Sequence, residues 1–298
     1  MTLPLPALSI ADRVTQVMVN DKLPVFLIRF DRIHPIISGN KSFKLAEWLN
    51  QAQAQGIQHL LTFGGPYSNH LVATAAACAS LGWKATGIVR GADPHHHTPT
   101  LTTCEDMGMQ LIRADAATYR NWQANPKLIP DADQAMVVPE GGYHPLGAVG
   151  ASVMSTWIPA TCTHILVAAG TLTTLAGVWM GAAPHQTVIG VPVLKGLRDY
   201  QERLTYLLDG RTPTANLIWM DGFHEGGYAK HSTPLITAMN RLYQQHQIPT
   251  DFVYTGKVWY ALSQLAEQGY FPPHAQVAFI HSGGLQGNAG LPPGTLLF

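Results

Sequence analysis

HILVAAGTLTTLAGVWMGAA, residues 164–183, carries no charged side chain from Ile165 to Ala183. Those 19 residues are long enough to cross a membrane. Thr171, Thr173 and Thr174 fall together in the stretch, however, and glycines recur at 170, 177 and 181. That mixture predicts three pieces instead: a buried strand ending at Gly170, a turn of small residues, and a helix. A strand apolar on both faces has to be covered on both faces, which is the habit of parallel sheets.

Working outward, the same unit recurs. VFLIRF (25–30), HLLTFGG (59–65), ATGIVRG (85–91), MQLIRAD (109–115) and AMVVPEGG (135–142) precede it, and TVIGVPV (187–193), NLIWMDG (216–222) and VAFIHSGG (277–284) follow. Between them lie segments of helical spacing at 42–55, 69–82, 98–107, 144–157, 172–183, 197–209, 232–246 and 256–268. Strand and helix in alternation predict an α/β fold with right-handed crossovers. Nine strands are many for one sheet in a chain of 298 residues, so two α/β lobes with a ligand cleft between them are expected.

Composition narrows the partners. Hydrophobic residues make up 46%, ample for a core, and the 18 basic and 18 acidic side chains cancel. No basic surplus is available to neutralise nucleic-acid phosphates or an anionic membrane, so neither is expected as a partner. Cys78, Cys104 and Cys162 match no zinc spacing and no disulfide framework, which suits a reducing compartment. MTLPLPALSI lacks a basic n-region and holds two prolines, so a secretory signal is not expected and the location reads as cytoplasmic. The run His95-His96-His97 reads as a solvated loop, because three adjacent side chains on an extended segment cannot all face one ion. No metal is expected.

In open parallel sheets, ligands collect beyond the carboxyl ends of strands, where helix N-termini face outward. Four places there carry chemistry. Ser38-Gly39-Asn40-Lys41-Ser42-Phe43-Lys44 puts two lysines at a helix start, where the helix dipole disfavours cations. They are either solvated surface lysines or a functional amine with a lowered pKa, as Schiff-base chemistry requires. Gly64-Gly65-Pro66-Tyr67-Ser68-Asn69-His70 ends a strand, and Ser68 or Asn69 would cap the next helix. Capping explains one polar residue but not the whole cluster. Gly170-Thr171-Leu172-Thr173-Thr174 offers backbone N–H groups and hydroxyls to an anion such as one phosphate. It is neither a Walker loop nor a dinucleotide fingerprint. Tyr254-Thr255-Gly256-Lys257 and His281-Ser282-Gly283-Gly284 each set a hydroxyl beside glycine at an element boundary. Singly, each is explained as a turn.

Together, and in this order, these segments resemble the pyridoxal-phosphate enzymes of fold type II, most of all the subfamily of 1-aminocyclopropane-1-carboxylate (ACC) deaminase and D-cysteine desulfhydrase. The resemblance runs from Phe30 to Gly284, and the spacings of 27 residues from Lys41 to Ser68 and 26 from Tyr228 to Tyr254 agree with it. It implies two open parallel-sheet lobes with helices on both faces, tryptophan synthase β-like. Residues 1–44 and 150–298 would form a large cofactor-binding domain, and 45–149 a small inserted α/β domain. It further implies bound pyridoxal 5'-phosphate, a small amino-acid substrate and a homodimer.

Residue by residue, the resemblance makes Lys41 the lysine that attaches the cofactor and, once freed, moves the substrate's α-proton, with Lys44 as its competitor. Asn69 would bond the cofactor's phenolic oxygen, Ser68 the substrate carboxylate or a proton in transit, and His70 would line the carboxylate side. The turn Gly170, Thr171, Leu172, Thr173, Thr174 would hold the phosphate. Tyr228 and Tyr254 would flank the substrate, Tyr254 on the side of proton transfer or leaving-group departure. Thr255 and Ser282 would face the pyridine nitrogen, where a neutral hydroxyl favours elimination over transamination.

Two departures bear on this reading. The family's phosphate turn is usually glycine-rich where this chain has Leu172 and Thr173, so Leu172 is strained if its φ is positive. His70 stands where ACC deaminases have glutamine, and Thr255 where they have glutamate. Both differences point to α,β-elimination of D-cysteine or a related β-substituted D-amino acid, giving pyruvate, ammonia and hydrogen sulfide. ACC ring opening to 2-oxobutanoate and ammonia is the alternative. A non-catalytic small-molecule or cofactor binder is an alternative of another class, and a nicotinamide oxidoreductase is weakened by the missing fingerprint.

Overall fold

The computed structural model describes residues 10–34, 36–37, 39–91, 93 and 97–298. The described chain opens with a short helix α1 (Ile10–Arg13) and a hairpin of β1 (Val14–Val19) and β2 (Leu23–Arg29). It crosses through α2 (Asn40–Ala54) into β3 (His59–Gly64), α3 (Asn69–Leu81), β4 (Lys84–Arg90), α4 (Pro99–Asp106), β5 (Met109–Ala114), α5 (Ala116–Ala124) and β6 (Met136–Val138). It returns through α6 (Pro145–Ser152) to β7 (His164–Ala169), α7 (Thr173–Gly181), β8 (Thr187–Pro192), α8 (Tyr200–Leu208) and β9 (Asn216–Trp219). Helices α9 (Thr233–His246) and α10 (Thr255–Glu267) lead to the last strand, β10 (Val277–His281).

The strands form two sheets, in the orders β1-β2-β10-β7-β8-β9 and β5-β4-β3-β6. Every pairing is parallel except β1 with β2. Strand β7, from the stretch that announced the fold, lies inside the larger sheet between β10 and β8, with Ile165, Leu166 and Val167 buried. On one face of that sheet Ile28, Ile165, Val167, Leu175 and Ile280 share a core, and on the other Leu27, Leu166, Ile189, Leu262 and Phe279 share a second. Alternation along each strand fills both cores, as cover on both faces demands. The smaller sheet is clothed in the same way.

Connectivity fixes where a ligand can sit. In the larger sheet the chain runs outward from β7 to β8 to β9, then jumps back to place β10 on the other side of β7. In the smaller sheet it runs from β3 to β4 to β5 and places β6 on the other side of β3. Each reversal leaves a crevice at the carboxyl ends of two strands, where the departing helices diverge.

All nine expected strands are present, but the expectation of purely parallel sheets needs correction at one edge. Strand β1 is antiparallel, joined to β2 through Asn20 (φ 52°) and Asp21 (φ 54°), a left-handed pair suited to a tight hairpin. Helix α5 was not expected; Asp115 caps it by accepting from Ala117 N at 2.9 Å and Thr118 N at 2.8 Å. The helix expected over 144–157 is α6 followed by a 3-10 turn, Val153–Trp157. Residues 1–9, Ser38, His95 and His96 lie outside the described residues; His97 stands 3.2 Å from Glu105. Among the described residues, no helix is long and apolar enough to cross a membrane.

Candidate active site

The two crevices face one cleft, whose cavity measures about 60 Å³. Asn69 and Gly141 reach it from beyond β3 and β6, and Gly170, Thr171, Leu172, Thr174, Ser282 and Gly283 from beyond β7 and β10. Asn40, Lys41 and Lys44 enter on the first turns of α2, and Tyr254 at the start of α10.

Helix α2 is held at this spot by backbone contacts. Gly39 has φ 77°, and a side chain there would overlap the carbonyl oxygen of Ser282. That same oxygen accepts from Asn40 N at 2.9 Å, so the start of α2 is docked on the end of β10. The Asn40 side chain then works at both ends. Its Nδ2 donates to Thr174 Oγ1 at 2.7 Å, and its Oδ1 accepts from Lys41 Nζ at 2.7 Å. One amide therefore links the lysine amine to the first turn of α7.

Burial lowers the Lys41 amine to about 8, with Asp251 pulling it back upward. A minor fraction is thus neutral, and nucleophilic, near physiological pH. Lys44 Nζ donates to Gly141 O at 3.1 Å, and burial together with the neighbouring Lys41 charge pushes its pKa well below the ordinary value. These are not solvated surface lysines. Two amines at one helix start call for an anion nearby, and the turn of Thr171 to Thr174 across the cleft supplies the matching donors: the unpaired N–H groups of the α7 N-terminus and the hydroxyls of Thr171 and Thr174.

Leu172 in that turn has φ 67° and is 1% exposed. The conditional strain expected from its sequence is therefore present. A non-glycine residue there costs about 1–2 kcal/mol, which burial of its side chain among Ala169, Leu175 and Ala176 offsets. Thr173 is fully buried, its hydroxyl 3.1 Å from that of Thr171.

Asn69 opens α3. Its Nδ2 donates to Gly284 O at 3.1 Å, while its Oδ1 is buried without a partner among the described residues. Gly284 has φ 81°, and a Cβ there would strike that amide. Ser68 Oγ caps α3, accepting from His70 N and Leu71 N, each at 3.3 Å. Its O–H remains as a donor. Tyr254 is set by Asp251, which was not singled out in the sequence. The buried Asp251 carboxylate accepts from Val253 N at 3.0 Å, Tyr254 N at 2.7 Å, and Thr255 N and Oγ1 at 2.9 and 2.7 Å. The signal was there: an aspartate just ahead of a helix is a capping residue. Burial, the facing Tyr228 and the carboxylates of Asp251 and Glu140 hold the Tyr254 phenol protonated, well above its ordinary pKa.

Of the residues expected in the site, Lys41, Asn69, Gly170, Thr171, Leu172, Thr174, Tyr254 and Ser282 line the cleft. Thr173, Ser68, His70, Tyr228 and Thr255 are not among its lining residues. Thr255 spends its hydroxyl on Asp251, donating to Oδ1 and accepting from Asp251 N at 2.8 Å. His70 is buried behind the cleft with Nε2 2.9 Å from Thr62 Oγ1, whose own proton goes to Val138 O, so Nε2 is the protonated nitrogen. Burial and the charges of Lys41 and Lys44 push its pKa down to about 3. Tyr228 lies at the mouth, half exposed, edge-on to Tyr254 with ring centroids 6.3 Å apart. Asn40 and Asp251 are the residues that sequence reasoning left without a role, and Lys44 entered it only as the competitor of Lys41.

A neutralisable lysine, an anion-holding helix start and an unpartnered amide oxygen, gathered where two α/β lobes meet, define a fold type II pyridoxal-phosphate enzyme. The family model described as pyridoxal-phosphate dependent enzyme matches residues 12–283, and the chain belongs to that family. Among solved structures, the fold is similar to one described as an ACC deaminase homologue, at 25% identity and TM-score 0.79, over 89% of this chain and 86% of that one. An L-serine ammonia-lyase from Rhizomucor miehei shares the fold at 16% identity and TM-score 0.68, covering 91% and 93%. Threonine deaminase isoform 2 from Solanum lycopersicum does so at 12% identity and TM-score 0.67, covering 92% and 81%. The cofactor of the family is pyridoxal 5'-phosphate, and the residues present fit it: Lys41 would offer an amine to its aldehyde, the Thr171–Thr174 turn donors to its phosphate, and Asn69 an amide to its polar ring substituents.

Proposed function

We propose that this enzyme is a lyase that removes the amino group of a small β-substituted D-amino acid, with D-cysteine as the leading substrate. The Lys41 amine, lowered to about 8 and joined through Asn40 to the phosphate-type turn, carries the pyridoxal-phosphate part of the reading, and the choice of D-cysteine rests on the family resemblance. Bound pyridoxal phosphate supplies the electron sink for the pair released at the substrate's α-carbon. Lys41 Nζ removes the α-proton. The Asn69 amide would meet the cofactor's phenolic oxygen. The Ser68 O–H, at the start of α3 just outside the cleft lining, would reach the substrate carboxylate, and Thr171, Thr174, Lys44 and the α7 N-terminus would hold the phosphate. Tyr254, protonated at neutral pH, gives its phenolic proton to the departing sulfur. The balance is D-cysteine plus water to pyruvate, ammonia and hydrogen sulfide. Ser282 on the cleft wall offers the pyridine nitrogen a neutral hydroxyl. Residues 1–44 with 150–298, and 45–149, are the two domains of this proposal; a homodimer and a cytoplasmic location belong to it as well.

ACC ring opening is the second reading, supported by the similarity to the ACC deaminase homologue. The test incubates the cofactor-loaded enzyme with D-cysteine, L-cysteine and ACC. Hydrogen sulfide and pyruvate from the D-enantiomer alone support the proposal, and 2-oxobutanoate from ACC supports the second reading. Loaded enzyme inert toward both, and toward other small amino acids, points to a non-catalytic cofactor binder.

A further inference from the structure

Lys257 is fully buried, lies one helical turn beyond Tyr254, and is unused by the chemistry above. Its ammonium has three protons to donate. They are matched by three backbone carbonyls, Gly227 O at 2.6 Å, His224 O at 2.8 Å and Val193 O at 3.4 Å. No carboxylate lies within ion-pairing distance of it among the described residues. Burial lowers its pKa to about 8, with Glu225 and Asp251 pulling upward, so it stays mostly charged at neutral pH.

The three carbonyls belong to two separate segments. Val193 extends β8, and its N–H bonds to Ala169 O at 3.0 Å, beside the Gly170 turn. His224 and Gly227 belong to the long connection between β9 and α9, which carries Tyr228. That connection is poorly held by its own backbone. Glu225, Gly226, Gly227 and Ala229 all have positive φ, and Gly227 N to His224 O and Lys230 N to Gly227 O are its internal backbone bonds.

We propose that Lys257 is a positioning residue that acts through Tyr228: a built-in cation that gathers the β9–α9 connection onto the end of β8 and so sets the Tyr228 ring against Tyr254. The first turn of α10 would then place both tyrosines, Tyr254 through Asp251 and Tyr228 through the Lys257 ammonium. The inference rests on the proposed reading of these tyrosines as the substrate-facing pair, but its first test does not need turnover.

Hydrogen exchange of the purified protein is measured for wild type, Lys257→Met and Lys257→Gln, the latter keeping an amide donor in case the methionine variant folds poorly. Exchange over residues 222–231 is expected to quicken by about tenfold or more in Lys257→Met and by less in Lys257→Gln, with α10 and the larger sheet unchanged. Unchanged exchange in that segment, or loss of protection throughout both variants, overturns the proposal. On the loaded enzyme, Lys257→Met is expected to lower kcat/KM by about 10–100-fold with the cofactor's absorption band intact, and to cost nothing further in a Tyr228→Ala background. Additive losses overturn it. Wild type that turns over no amino acid contradicts the functional reading alone, and the exchange result still decides whether Lys257 places Tyr228.

Discussion

Lys41 Nζ donates to the side-chain oxygen of Asn40, its neighbour in the chain, at 2.7 Å, while the other end of that amide holds Thr174. The nucleophilic amine is thereby held by a neutral acceptor instead of a carboxylate. Burial can then lower its pKa without an ion pair to cancel the effect. The rate at which pyridoxal phosphate attaches should rise about tenfold per pH unit below 8 and level off above it, because the neutral amine is the reacting form. Asn40→Asp puts a negative charge beside the amine and should move that plateau to higher pH. Stopped-flow absorbance against pH checks both; a wild-type rate still climbing at about pH 10, where an unperturbed lysine titrates, contradicts the assignment.

Lys44 faces the same cleft and contacts Gly141 O. A bound phosphate would restore the Lys44 charge that burial disfavours, so Lys44→Met should weaken cofactor binding by about 10–100-fold and leave covalent attachment at Lys41 intact. Titration with the cofactor, and competition by inorganic phosphate, measure it. An unchanged affinity removes Lys44 from the phosphate site.

His70 ties the chain's stability to pH. Its folded pKa of about 3 lies below the ordinary value of 6.5, so between those values the unfolded chain binds more protons and stability falls as pH falls. Each pH unit in that window costs about 1.4 kcal/mol. His70→Gln should flatten this limb when urea unfolding is compared at pH 6.5 and pH 4.5. Equal slopes in the two proteins would place the acid sensitivity elsewhere.

At Leu172 two effects oppose each other. Glycine relieves a left-handed backbone worth about 1–2 kcal/mol, but it removes a buried leucine side chain worth about 2–5 kcal/mol in a core and loosens the unfolded chain. The loss is larger, so Leu172→Gly should lower the denaturant midpoint. A raised midpoint means that strain, not packing, dominates this turn.

The fold was legible because buried parallel strands write themselves as short, mostly apolar runs that frequently end in glycine, and all nine such runs are strands. Strand β1 escaped because Val14–Val19 alternates as a half-exposed edge strand, a weaker pattern than its buried neighbours. The site's frame was legible where chemistry sat beside glycine at a strand end, as at Asn69, Gly170 and Ser282. What stayed hidden depends on side-chain direction. Nothing in the order Ser-Asn-His tells that Asn69 faces the cleft while His70 turns back onto Thr62, or that Thr255 gives its hydroxyl to Asp251. Asn40 and Lys44 show their roles only once α2 is docked against the strand ends, whereas Asp251 could have been read as a helix cap.

The central claim is that Lys41 is the lysine to which pyridoxal phosphate is attached. The most direct measurement is the visible absorption of wild type, Lys41→Ala and Lys44→Ala, each incubated with the cofactor, freed of excess and then reduced with borohydride for peptide mapping. The account predicts a visible band and a labelled Lys41 peptide in wild type, loss of both in Lys41→Ala, and a Lys44→Ala protein still labelled at Lys41 once enough cofactor is supplied. A band that survives in Lys41→Ala, with the label on Lys44, would contradict it.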